Sequence, residues 1–423
     1  MRVLISGGSV AGPALAHWLS RYGFEVTVVE RAPAPRQGGY KVDLRGVAVE
    51  VVDRMGVGAA VRSRATDIQG GTWVTGKGRT IVSLGPDAVG FRDPGDLEIL
   101  RGDLSEILRA ASPDVEYIHG DVITALREDA TGVRVTFQNA APRTFDLVVG
   151  ADGLHSGVRA LAFGPEERFV RRLGLNVAVF SAPNHLGLER WETACPMAGR
   201  TAALYALDRN ANATAQLFFP APETEPRRND VTGQFAVVAD AFAGRGWEIP
   251  RLLAEMPNAP DFYYDTLAQV HMDQWTSGRV ALVGDAAHCP SPASGQGTSV
   301  AVVGAYVLAG ELAAARGDHR VAFPAYEREM REFVRLNQQL GIDQAKQIVP
   351  ADRARAWLQL AMMRMLPFMP GTRNVMEKIM KPVREAANAL TLKPYAGRPA
   401  EAPGSPSAAA RSSAGPRPGS WRS

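Results

Sequence analysis

Short apolar runs that end in glycine alternate with stretches whose apolar positions recur every three to four residues, a pattern that predicts an α/β chain. Residues 3–6 (Val-Leu-Ile-Ser) read as a buried strand ended by Gly7, and residues 25–30 (Glu-Val-Thr-Val-Val-Glu) as a second, β-branched strand. Between them, about 12–22, the spacing is helical. Pro13 falls in the first turn, where its missing N–H has no intrahelical partner. Residues 1–30 are therefore a strand–helix–strand unit, parallel because a helical crossover returns the chain in the same direction.

Beyond it, residues 31–46 are loop-rich, and helices are predicted near 46–64 and 101–111. Residues 115–149 alternate as short strands: Val-Glu-Tyr-Ile-His, Val-Arg-Val-Thr-Phe and Asp-Leu-Val-Val-Gly. Residues 166–271 change character. Strands such as Ala202–Leu207 and Ala213–Phe219 are separated by Pro- and Asn-rich loops, which predicts a separate, more antiparallel sheet. A parallel-type strand returns at 279–284, followed by a helix of small residues at 298–316. A long amphipathic helix over 321–349 carries Tyr326, Met330, Phe333, Val334 and Leu340 on one face, with Pro350 as its stop. Helices resume over about 351–390, and residues 396–423 hold almost nothing to bury, so disorder is expected there. No internal repeat is visible.

Composition narrows the class. At 423 residues there is room for two domains, and 46% hydrophobic with 22% charged residues is ordinary for a protein with a large core. A formal charge of +3 is too mild to argue for nucleic acid. Cys195 and Cys289 alone exclude a disulfide scaffold and suit a reducing compartment. The start of the chain lacks the apolar core of a signal peptide, and no uninterrupted apolar run approaches bilayer length, so a cytoplasmic protein with no membrane partner is expected. The oligomeric state is not set by these features, which are compatible with a monomer.

Three motifs carry chemistry. The first, Gly7-Gly8-Ser9-Val10-Ala11-Gly12 followed by Glu30, resembles a dinucleotide loop. In such loops glycines make the tight turn and the phosphate approach, and an acidic residue about twenty positions on meets a ribose. Ser9 stands where the middle glycine is expected. A structural glycine turn in another α/β fold is the alternative. The second motif, Asp146-Leu-Val-Val-Gly150-Ala-Asp152-Gly153-Leu-His-Ser156-Gly-Val-Arg159, delivers Asp152 to the C-terminal end of a strand, where α/β sheets bind ligands; Asp152 reads equally well as a helix cap. The third, Gly284-Asp285 through Pro292, Gly295, Gly297, Thr298 and Ser299, runs from a strand through a glycine-rich loop into a helix, whose start favours an anion. His155 and His288 lack metal-ligand spacing and no metal site is expected; Cys289 reads as a packing residue.

These motifs, in this order, resemble those of single-component FAD-dependent aromatic monooxygenases of the p-hydroxybenzoate hydroxylase type, and most of all the branch with tetracycline-inactivating monooxygenases and natural-product hydroxylases. The resemblance runs from residue 1 to about 345. It implies a Rossmann-like parallel-sheet FAD-binding domain (1–68, 96–165 and 275–320), interrupted by a substrate domain with a mixed or antiparallel sheet of seven-stranded type (69–95 and 166–274). C-terminal helices (321–392) and a disordered tail (393–423) would follow. It implies that Gly7, Ser9, Val10, Ala11 and Gly12 hold the FAD pyrophosphate, with Glu30 and Arg31 at the adenosine and Arg101 near the pyrophosphate. Asp152 and Arg159 would meet FAD or NADPH, Gly284 and Asp285 the ribityl chain, and Pro292, Gly295, Gly297 and Thr298 the pyrimidine side. Asp43 and Arg45 would lie near the flavin ring, although a surface ion pair is as good an account of Arg45. Ser299 stands where many relatives carry asparagine.

The implied activity is hydroxylation of an aromatic or polyketide-type small molecule with NADPH or NADH and O2 through a flavin C4a-hydroperoxide. It requires no assigned side-chain catalyst, because the cofactor carries the hard step. A redox-neutral flavin cyclase or a non-redox FAD-binding protein of a biosynthetic pathway is the alternative. For the substrate pocket, period-two alternation puts Gln216 and Phe218 on one face of their strand, opposite Phe219, with Tyr205 and Arg209 from the preceding hairpin.

Overall fold

The computed structural model describes residues 1–35, 39–85, 93, 95–209, 211–365 and 372–395. Two sheets organise the chain. The first has six strands in the order Thr276–Ser277, Val280–Leu282, Leu147–Gly150, Arg2–Ser6, Glu25–Glu30 and Glu116–His119, all parallel except the edge pair at 276–282. Its central strands are apolar on both faces, and Val3, Leu4, Ile5, Leu147, Val148 and Val149 are all fully buried, as a parallel sheet covered on both sides demands. Helices Ala11–Arg21 and Gly297–Ala314 pack against each other over it. The second of these is long and apolar enough to cross a bilayer, but 78% of it is buried within the protein, so it is a core helix.

The second sheet has seven strands in the order Tyr263–Val270, Val170–Ala182, Ala213–Pro220, Arg200–Ala206, Trp191–Met197, Gly71–Val74 and Thr80–Leu84. All neighbours are antiparallel except Trp191–Met197 with Gly71–Val74. One face packs on helices Val231–Ala241 and Ile249–Glu255 through Phe219, Phe242 and Val238. The other face looks toward the first sheet. The long helix His319–Ile348 runs beside both, burying the predicted stripe Tyr326, Met330, Phe333, Val334 and Leu340.

Several local expectations change. The predicted helix at 46–64 is two helices, Val47–Arg54 and Gly58–Ser63, because Gly56 takes a φ of 80° between them. The loop expected at 31–46 contains a strand, Lys41–Leu44, paired antiparallel with Leu97–Leu100. Strands Ile123–Glu128 and Arg143–Phe145 flank the expected one at Val133–Phe137 in a small separate sheet. Residues 393 and 395 of the expected tail are packed: the Tyr395 hydroxyl and Lys393 Nζ lie 2.7 and 2.8 Å from Glu311 Oε1, and the Tyr395 ring fills the space beside Gly310. Residues 396–423 lie outside the described residues, as do 366–371 of the expected C-terminal helices and 86–92 and 94 of the expected substrate domain.

Candidate functional site

The first strand stops at Gly7, with φ of 109°, where only glycine is free of strain. A Cβ there would lie 2.4 Å from the Ala151 carbonyl oxygen, and one on Gly12 would lie 1.9 Å from the Gly7 carbonyl oxygen. The loop therefore folds back on its own helix and against the second motif. The helix that follows receives no side-chain cap from Val10, so its first amides stay available, at the positive end of the helix dipole. Ser9 and Arg31 are exposed, and Val10 and Ala11 are buried. The Glu30 carboxylate closes the loop from the other side: the Gly8 N–H donates to Oε2 at 2.6 Å and the Ala32 N–H to Oε1 at 2.8 Å.

The second motif is an internal brace. Asp152 accepts from the Ser156 hydroxyl, from the Val158 N–H at 3.1 Å and from the Ser6 hydroxyl at 3.3 Å, which ties the 7–12 loop to the 152–158 turn. Burial pushes its carboxyl above the usual range against these bonds. Arg159, which the resemblance assigns to FAD or NADPH, is turned inward. Its side chain is fully buried and donates to the carbonyls of Ala286 at 3.0 Å and Leu154 at 2.6 Å, with Glu166 at 3.5 Å. It fastens the second motif to the third.

In the third motif, Asp285 opens the short helix Asp285–His288 and is half-buried. Burial raises its carboxyl, and the Cys289 thiol and the Arg101 guanidinium partly counter the rise. A Cβ on Gly284 would sit 3.0 Å from Ala11 Cβ, one on Gly297 3.7 Å from Asp285 Oδ1, and one on Gly295 3.5 Å from Asp43 Oδ2. The three motifs thus adjoin one another and the strand Lys41–Leu44. Pro292 is exposed, while Gly295, Gly297 and Thr298 are half-buried. The helix that starts at Gly297 again lacks a side-chain cap, since Gln296 provides none. Ser299 is fully buried. It accepts from the Arg45 N–H at 3.1 Å and donates to the Asp43 carbonyl at 3.3 Å, so it pins the strand to the helix. Arg45 is not on the surface: its side chain is 13% exposed and pairs with Asp43 at 3.0 Å and Asp96 at 3.9 Å. Arg101 lies over the Tyr40 ring, 5.3 Å from its centroid, and its N–H donates to the Tyr40 carbonyl at 3.1 Å. Cys289 is buried, its thiol pushed well up by burial and by Asp285, which leaves it unreactive at neutral pH.

The facing wall comes from the seven-stranded sheet. Gln216 and Phe218 share its inner face with Val177, Val179, Tyr263 and Asp265, while Phe219 packs behind, edge-on to Phe242. Tyr205 belongs to the same face but is buried; its hydroxyl accepts from the Lys41 N–H at 3.0 Å. Arg209 does not join the wall. It sits at the hairpin tip with a 70% exposed side chain, 3.8 Å from Glu189. A buried ion cluster lies at the wall's edge, where Lys41 Nζ is 2.5 Å from Glu192 Oε2, 3.5 Å from Glu98 Oε2 and 4.7 Å from the Tyr205 ring centroid. Sequence reasoning missed Tyr40, Lys41, Glu98, Glu192, Tyr263 and Asp265. The strand at 41–44 is too short and too polar to signal itself, and its partners are remote in the chain.

Comparison with known proteins agrees with this geometry. Residues 1–339 match the family model described as FAD binding domain. The chain is 48% identical over 345 residues to an uncharacterized protein of Mycobacterium tuberculosis H37Rv, covering 81% of this chain and 92% of that one. It is 39% identical over 341 residues to a flavin-dependent monooxygenase from an unknown prokaryotic organism, covering 81% and 88%. The crystal structure of tetracycline destructase Tet(55) superposes with a TM-score of 0.81 at 34% identity, covering 93% of this chain and 98% of that one. The chain belongs to the FAD-binding family of flavin-dependent monooxygenases.

Proposed function

We propose that this protein is an NAD(P)H-dependent FAD monooxygenase that hydroxylates an aromatic or polyketide-type small molecule. One observation carries the proposal: beside a dinucleotide cradle built on Gly7, Gly12 and Glu30, the loop residue Ala293 packs with Tyr40 on a mostly apolar wall of half-buried Phe218 and buried Val177 and Val179, next to half-buried Gln216. The fit to FAD rests on that cradle. The spaces at Gly7 and Gly12 admit no side chain, and two helix starts present uncapped amides to it.

In this proposal the amides at residues 9–12 hold the pyrophosphate, Glu30 the adenosine ribose, Asp285 the ribityl hydroxyls and residues 295–298 the pyrimidine edge. Bound there, FAD supplies hydride acceptance from nicotinamide and activation of O2. The start of the Gly297 helix favours negative charge beside it. Arg101 and Tyr40 close one side of the crevice, and Asp43 is held beside Gly295 by Ser299 and Arg45. Gln216 is a polar group able to orient a substrate hydroxyl or carbonyl, and Phe218 with the two valines supplies the apolar contact that keeps water out. Asp152 and Arg159 act one layer back, holding the three loops in register.

The test is direct. The purified protein should be yellow, or take up FAD to one equivalent. NAD(P)H oxidation should rise with a substrate from a panel of phenols, polyketides and tetracycline, and the product should gain one oxygen. Protein that takes up no FAD, or that converts a substrate anaerobically without nicotinamide, would overturn the proposal.

A further inference from the structure

One hydrogen-bonded chain of titratable groups outside the cofactor cradle runs from the crevice to the surface. Tyr263 and Asp265 stand on the inner face of the seven-stranded sheet. The Tyr263 ring lies 5.8 Å from that of Tyr40 and shares an apolar cluster with Phe218 and with Ala293 of the 292–297 loop. Its hydroxyl donates to Asp265 Oδ2 at 2.8 Å. Asp265 Oδ1 is 3.3 Å from His155 Nε2, and His155 Nδ1 is 2.9 Å from Glu166 Oε1. Side-chain exposure rises outward, from 15% at Asp265 and 18% at His155 to 37% at Glu166.

An inter-sheet latch would need one carboxylate on His155. Here there are two, one on each ring nitrogen, and the inner one carries a tyrosine that reaches the crevice. Hydroxyl, carboxyl and imidazole can each accept a proton at one atom and release one from another. Other charged and polar neighbours are Arg159, 3.5 Å from Glu166; Arg228, whose field reaches His155 and Glu166; Arg101 and Tyr40 beside Tyr263; Asp285, Cys289 and Tyr264, which feel the Asp265 charge; and the Thr266 N–H on Asp265. Burial pulls the His155 pKa down, but its bonds to Asp265 and Glu166 outweigh that and raise it. The imidazole is therefore charged readily between its two acids.

We propose that Tyr263, Asp265, His155 and Glu166 form a proton conduit between the crevice and bulk water, an inference that rests on the monooxygenase assignment. The need follows from stoichiometry. Substrate, O2, NAD(P)H and one proton become hydroxylated substrate, NAD(P)+ and water, so each turnover takes up a proton from solvent into a site that must exclude water. The proton enters at Glu166 and binds His155 Nδ1, while the proton on Nε2 passes to Asp265 Oδ1. The Asp265 carboxyl turns to present that proton to the Tyr263 oxygen, and the Tyr263 hydroxyl, turned away from Asp265, hands its own into the crevice. No residue is oxidised or reduced.

The test uses the FAD-loaded protein and whichever aromatic probe gives oxygenated product in the panel above. Product and peroxide are measured in H2O and D2O across neutral pH for wild type, His155→Gln, Tyr263→Phe, and His155→Ala with and without imidazole. The solvent isotope effect on product formation should rise about twofold or more in both relay variants. The product formed per NAD(P)H should fall in favour of peroxide, FAD affinity should stay within about twofold, and imidazole should rescue His155→Ala. Variants that load FAD and keep the wild-type isotope effect and pH profile would overturn the conduit while leaving the oxygenase intact. So would an activity loss explained wholly by lost FAD and not rescued by imidazole. A wild type that binds FAD yet makes no O2-dependent product would overturn the oxygenase assignment, and the conduit with it.

Discussion

Replacing Lys41 by methionine tests the ion cluster that joins the short strand at 41–44 to the seven-stranded sheet. Lys41 Nζ lies 2.5 Å from Glu192 and 3.5 Å from Glu98, and the three side chains are 16%, 30% and 4% exposed. Burial lowers the Lys41 pKa less than the two carboxylates raise it, so the amine stays charged at any working pH. At an effective permittivity of about 20 the two contacts are worth roughly 7 and 5 kcal/mol before solvation is counted. Desolvation of the three ions cancels most of that, which is why a buried pair is a weak stabiliser but a costly one to break. Lys41→Met takes from Glu98 and Glu192 the cation they share, a loss of about 3 kcal/mol after the retained apolar stem is allowed for. With an unfolding entropy of about 2.1 cal/mol/K per residue over about 380 ordered residues, the midpoint should fall by about 4 °C. Circular dichroism melts of FAD-loaded protein at pH 7.5 measure it. Lys41→Met with Glu192→Met should recover part of it, since a neutral pair no longer buries two like charges. A single variant melting within 1 °C of wild type, or a double variant no better than the single, would refute the reasoning.

Three further outcomes follow from the same contacts. Glu30→Ala should weaken FAD binding about tenfold to hundredfold, the value of a charge-assisted hydrogen bond, while the circular dichroism spectrum stays unchanged; titration by flavin fluorescence quenching decides. A chain ended after Leu392 should melt several degrees lower than one ended after Tyr395, because Glu311, 8% exposed, loses both Lys393 and Tyr395. The junction at His155 should be most stable in a window set by opposite shifts. His155 is raised, so its contribution is complete below about 6.5 and lost as pH rises through its folded value; Asp265 and Glu166 are lowered, so theirs is complete above about 4.3 and lost as pH falls. Melts from pH 4 to 9 of wild type and His155→Gln should diverge most inside that window.

Glycine positions were legible in the sequence because their physical requirement is local. Gly7 and Gly12 sit where a Cβ would strike backbone 2.4 and 1.9 Å away, and no other residue type satisfies that. The long helix was legible from Tyr326, Met330, Phe333 and Leu340 because burial on one face imposes a period. The polar half of the site was not legible. Lys41 and Glu192 are 151 residues apart, and His155 and Asp265 are 110 apart; their partnership depends on how two sheets face each other, which no local spacing encodes. The inward contacts of Arg159, to the carbonyls of Leu154 and Ala286, are illegible for the same reason: Ala286 lies 127 residues away.

Ser9 poses the remaining question, since a dinucleotide loop usually places glycine there. The close approach has moved one residue. A Cβ added to Gly8 would lie 3.1 Å from Glu30 Cβ and 3.3 Å from its Oε2, tighter than such contacts normally are, whereas Ser9 points outward and is exposed. Gly8 therefore sets the distance between the loop and the acid that closes it. Gly8→Ala must push Glu30 aside and lengthen the 2.6 Å bond from the Gly8 N–H. A penalty of about 1 kcal/mol in the bound state corresponds to roughly fivefold weaker FAD binding. Ser9→Gly should leave affinity within twofold, because the Ser9 side chain is exposed. Equal effects at the two positions, or a larger one at Ser9, would mean that the phosphate approaches the loop from the side opposite Glu30.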